Sequence, residues 1–173
     1  MCDAGQTHRM SAFIDDNFLL QSQTARRLYH EFAAGAPIVD YHCHLDARDL
    51  AADRHFENIA QLWVTGDPYK HRAMRLAGVP ERAITGSASE REKFDRWAAT
   101  VPRTLGNPLH HWTALELKRY FDVDASLNAQ SAARIWEACN ARLAEPSSRS
   151  SAREYSPSAR SRCPRSSRSR PWA

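Results

Sequence analysis

The chain has 173 residues, enough for one domain with a real core but fewer than the roughly 200–250 that a complete (β/α)₈ barrel needs. No apolar stretch approaches the roughly 20 residues of a membrane span, and residues 1–11 hold no apolar region of a secretory leader. The formal charge of +4 is unevenly spread: residues 147–173 carry seven Arg and one Glu, leaving 17 Lys+Arg against 19 Asp+Glu in residues 1–146, so the tail holds +6 and the rest −2. The four cysteines, Cys2, Cys43, Cys139 and Cys163, form no CxxC spacing. Free thiols in a reducing, cytoplasmic compartment are therefore expected.

Residues 1–12 are mainly polar and read as a flexible N-terminus. From Thr24 to Ala34 the apolar positions Ala25, Leu28, Tyr29, Phe32 and Ala33 follow the spacing of one face of an amphipathic helix. Gly35 stands in the position after its cap, and Pro37 prevents continuation. The run Pro37–His42 then predicts a short strand, β-branched and aromatic at its centre. A helix feeding a short apolar strand is the opening of an α/β layered fold. Further helices are predicted over Asn58–Val64, Tyr69–Ala77, Ser89–Thr100, Leu109–Phe121 and Ala129–Leu143, the last with Asn128 as N-cap. Gly66-Asp67-Pro68, Gly78-Val79-Pro80, Gly86 and Gly106-Asn107-Pro108 punctuate them. One strand followed by about five helices suits strand one of a barrel plus a helical insertion, over residues 13–146. The tail, 147–173, has ten Ser, seven Arg and three Pro, with no Leu, Ile, Val, Phe or Met. It cannot bury a face and reads as disordered. A shifted reading frame in GC-rich coding sequence is the favoured account, beside a bland terminus and an Arg/Ser arm for nucleic acid.

The sharpest chemical signal is Asp40-Tyr41-His42-Cys43-His44. On a strand, residues two apart share a face, so His42 and His44 present two imidazoles to one divalent ion, with zinc or another transition ion preferred. Asp40 stands on the same face and could orient a ligand from behind. Two histidines do not complete a metal site, and later strands would have to supply the rest. A second cluster, Tyr69-Lys70-His71-Arg72-Ala73-Met74-Arg75, has two readings. One is a carboxylate-binding and acid/base surface; the other, favoured on the residues alone, is a solvated helix that packs Met74 and turns its charges to water. His110-His111 reads as packing at a helix start, because adjacent helical residues diverge. Arg91–Arg96 around Phe94 and Trp97 reads as a charged helix with an apolar stripe.

Several segments together resemble the uronate (glucuronate) isomerase family of the amidohydrolase superfamily. They include Pro37–Leu45, Phe56-Glu57-Asn58, Leu62-Trp63, Tyr69–Arg75, Val101–Leu109, Trp112-Thr113 and Leu115–Phe121, and the likeness spans about residues 13–146. The resemblance implies an N-terminal fragment of a metal-dependent (β/α)₈ TIM barrel, mostly helical as it stands. It implies aldose–ketose isomerisation of D-glucuronate to D-fructuronate and of D-galacturonate to D-tagaturonate. His42 and His44 match the metal-ligand pair, and Tyr69, with Arg72, matches an active-site, substrate-binding position. Where the family pattern reads Asp-His-Tyr-Lys-Trp-Arg, this chain has Asp67-Pro68-Tyr69-Lys70-His71-Arg72. Pro68 thus stands where a substrate-side histidine is usual. The base, an Asp on a late strand, lies beyond the matching residues, so this chain alone is expected to be inactive. The resemblance implies a small uronate substrate as partner, no membrane and no nucleic acid, and leaves a homo-oligomer open. A hydrolase of the same superfamily, or nucleic-acid binding through the tail, are the alternatives.

Overall fold

A computed structural model describes residues 13–37, 42 and 44–145. The N-terminus 1–12, the tail 147–173 and most of the expected strand, Asp40 included, lie outside the described residues. Within them the chain is helical, with no β-strand. In order come α1 (Gln23–Leu28) running into a π turn (Tyr29–Ala33), α2 (Ala47–Ala52), α3 (Ile59–Trp63), α4 (Pro68–Leu76), a 3₁₀ turn (Glu81–Ala83), α5 (Glu90–Thr100), a 3₁₀ turn (Val101–Thr104), α6 (Pro108–Phe121) and α7 (Ala132–Ala144).

Most helix starts are written in short polar side chains. Ser22, Asp46, Asn58, Asp67, Ser89 and Asn107 each accept a hydrogen bond from a backbone N–H of the first turn they precede. This satisfies donors that have no partner inside the helix. Pro68 and Pro108 follow their caps directly, where a missing N–H costs nothing and φ is preset. At the far end of α4, Gly78 adopts φ 81°. Gly78 N–H donates to the Arg75 carbonyl and Val79 N–H to that of Met74, closing the last turn. The last helix departs from expectation. Asn128 does not cap it; its side-chain Oδ1 accepts from Gln130 and Ser131 N–H at 2.9 Å each, so it closes a turn and α7 starts three residues later than expected.

Helices α3 to α7 enclose one core. Ile59, Met74, Phe94, Trp97, Leu117 and Ile135 are essentially inaccessible, and Cys139 and Leu143 continue the α7 stripe. The expected stripe of α5, Phe94 and Trp97, is thus fully used. The segment before α1 is tied on by buried Ile14, whose carbonyl accepts from the Lys118 ammonium. Phe13 and Phe18 meet His110 and His111 with ring centroids 5.3–6.0 Å apart. His110 and His111 therefore pack at a helix start, as read. The first amphipathic helix forms, but its face is not buried. Leu28 is 57% and Phe32 68% exposed, and α1 with its π turn contributes no buried residue to the core that α3 to α7 enclose.

Candidate functional site

The loop before α4 and the first turns of that helix bring the sequence-predicted residues together. The Nε2 atoms of His42 and His44 lie 3.4 Å apart. The His44 ring meets the edge of Tyr69 at 4.3 Å between centroids, and the Arg72 guanidinium lies 5.8 Å from the Tyr69 ring. Tyr69, Arg72 and Leu76 recur at helical spacing on the outer side of α4 and open onto a groove of about 440 Å³. Arg103, Leu105 and Trp112 form its opposite wall. Two guanidinium groups over an apolar floor suit a small anion with some apolar surface.

The inner side of α4 departs from the reading of a solvated helix that turns all its charges to water. Met74 is buried as expected, but so are Lys70 and His71. Lys70 Nζ donates to Asp67 Oδ2 at 2.7 Å and lies 5.8 and 5.9 Å from the ring centroids of Trp63 and Trp97. A buried ammonium is tolerated when a carboxylate and aromatic faces replace its water. His71 Nε2 contacts the Val64 carbonyl at 2.5 Å. Only Arg72 and Arg75 of the charged positions face water.

Asp67, read in the sequence as punctuation, is the polar centre of this region. Its Oδ1 accepts from the backbone N–H groups of Tyr69 and Lys70 at 2.8 and 3.3 Å and contacts His44 Nδ1 at 3.1 Å. Burial pushes its carboxyl up, but the Lys70 charge and these hydrogen bonds outweigh burial and hold it below the usual carboxylate range. Glu116 of α6 lies in the field of Asp67 and Lys70, and burial pushes its carboxyl up. The signal that could have found Asp67 was its N-cap position beside Pro68; its reach to His44 is set by tertiary structure.

Two imidazole nitrogens at about 2.0–2.1 Å from one tetrahedral ion stand about 3.4 Å apart, so the His42–His44 spacing fits a shared divalent ion. No group of three or more His, Cys, Asp or Glu side chains arranged for a metal occurs among the described residues.

A family model described as glucuronate isomerase matches residues 10–154. The chain belongs to the glucuronate isomerase family. That match takes in the site, all the described helices and the first eight residues of the Arg/Ser segment, 147 to 154. The uronate isomerase of Solibacter usitatus is 61% identical over 135 residues, covering 78% of this chain and 29% of that protein. The uronate isomerase of Geobacillus thermodenitrificans is 57% identical over 131 residues, covering 76% and 28%. A crystal structure of uronate isomerase from Thermotoga maritima superposes with a TM-score of 0.71 at 37% identity, covering 76% of this chain and 29% of that one. The chain therefore spans under a third of the length of these relatives. Membership of the glucuronate isomerase family sets aside the hydrolase alternative. No helix among the described residues is long and apolar enough to cross a membrane.

Proposed function

We propose that this chain is the N-terminal portion of a uronate isomerase (β/α)₈ barrel, carrying the first metal-ligand pair and one wall of the substrate site. The reaction is the aldose–ketose interconversion of D-glucuronate with D-fructuronate and of D-galacturonate with D-tagaturonate, in the cytoplasm. The observation that carries this reading is the convergence of His42 and His44 Nε2 at 3.4 Å beside Tyr69, in a chain of this family.

In this reading His42 and His44 hold a divalent ion, zinc by preference for imidazole ligands. When bound, the ion polarises the substrate oxygens at the carbons between which the proton moves. Tyr69 presents its phenol next to His44, where it can hydrogen-bond a substrate hydroxyl and pass a proton. Arg72, on the same face one turn on, offers a fork for the uronate carboxylate. The carboxylate base comes from a later strand, outside what this chain matches. Residues 13–146 are then the barrel part.

The test uses the full chain. Titration with Co²⁺, read by its visible absorption, is expected to show one weak site that is lost in His42→Ala and His44→Ala. A uronate-to-ketouronate assay is expected to show no turnover. Co²⁺ binding unchanged by both substitutions would sink the ligand assignment, and measurable turnover would sink the claim that the base lies elsewhere.

A further inference from the structure

We infer that Asp67, braced by the buried Lys70, is a positioning residue that fixes His44 with its ring proton on Nδ1, so that the Nε2 lone pair faces the metal position shared with His42. The inference rests on the metal reading above only for its downstream consequence.

A connected set of contacts carries it. Asp67 Oδ1 lies 3.1 Å from His44 Nδ1. A carboxylate oxygen only accepts, so the hydrogen of this contact sits on Nδ1. In the neutral ring the lone pair then sits on Nε2, and that atom is the one 3.4 Å from His42 Nε2. Asp67 itself cannot swing away. Tyr69 and Lys70 N–H hold Oδ1, and Lys70 Nζ holds Oδ2 at 2.7 Å. Lys70 is in turn 7% exposed and flanked by Trp63 and Trp97, so the brace is anchored in the core. The Tyr69 ring closes the remaining side of His44 at 4.3 Å. A metal-ligating imidazole whose second nitrogen donates to a carboxylate is oriented and made more basic. Asp67 thus does two jobs: it caps α4, and it aims a histidine from a loop 23 residues earlier in the chain.

The test separates the cap from the aiming. Serine caps a helix about as well as aspartate, but its side chain is too short to reach both the first turn and His44. In the metal-free, ¹⁵N-histidine-labelled full chain, long-range ¹H–¹⁵N spectra are expected to show His44 protonated on Nδ1. In Asp67→Ser this fixed tautomer is expected to be lost with helical circular dichroism unchanged, and Co²⁺ affinity to fall about 10- to 100-fold. Lys70→Met is expected to lower affinity in the same direction by a smaller factor. The double variant Asp67→Ser, Lys70→Met removes both buried charges together and keeps the test open if either single variant fails to fold. His44 protonated on Nε2 in the parent chain, or an unchanged tautomer in Asp67→Ser, overturns the inference. Unchanged affinity in Lys70→Met removes Lys70 from it. If the parent binds no Co²⁺ but the tautomer depends on Asp67, the positioning stands and the metal reading falls.

Discussion

Arg75 meets Glu81 through two guanidinium nitrogens, at 2.8 and 2.6 Å, and the Thr85 hydroxyl donates to the same carboxylate. These bonds hold the Glu81 carboxyl down to about 2, from an ordinary value of 4.5. A carboxyl depressed by folding stabilises the folded state above its unfolded value, and that contribution is lost as pH falls through the folded one. Both partners are exposed, so the effect is small. Glu81→Gln is expected to flatten the loss of stability between pH 4.5 and 2, read by urea midpoints at each pH; parallel curves would show that the pair contributes nothing. Cys139 is the opposite case. It has no accessible surface, and burial pushes its thiol up to about 12. Since the thiolate is the reactive form, Cys139 should resist alkylation at pH 8 until denaturant is added. Peptide mapping after iodoacetamide checks this, and labelling of the native chain at the rate of an exposed thiol would contradict the core packing of α7.

Among the elements, α3 to α6 were legible because their boundaries rest on local chemistry, while of α7 the sequence showed the helix but not its start. Asn58 and Ser89 cap where the sequence reading began those helices, and of the α7 face Ala132, Ile135, Cys139 and Leu143 are buried and Trp136 partly so. What was not legible depends on partners distant in sequence. Lys70 and His71 look like surface residues until Trp97 and Val64 are brought beside them. Asp67 read only as punctuation; its cap, which needs three residues, was within reach of the sequence, whereas its contact with His44 needs the fold. The converse failure is α1, whose spacing promises a buried face that the described residues do not bury. The difference is measurable. Trp97→Ala should cost about 3–5 kcal/mol in denaturant unfolding. Phe32→Ser should change stability by no more than about 0.5 kcal/mol. A large loss in the second variant would mean that the α1 face is covered after all.

For the molecule as a whole, the resemblance-based expectation of a barrel fragment is met in family and in helical content, while the barrel strand falls on residues the structure does not describe. Stability should therefore be graded along the chain. Amides of α5 and α6, which bear the innermost side chains, are expected to exchange slowest. Those of α1 and the π turn, whose large apolar groups stay exposed, should exchange close to the rate of an open helix. Uniform protection from α1 to α7 would contradict this order.

Pro68 has a consequence in evolutionary terms. It occupies the one helical position where its ring costs nothing, directly after the Asp67 cap. Exchanging it for histidine gives up only the chain stiffness of proline, about 0.4–1 kcal/mol. Two of the four proline codons lie one base from a histidine codon, so at this position, though not at His71, the step towards the histidine of the resembled pattern is short and nearly level. Selection on that position can then answer to ligand chemistry alone, with little interference from folding.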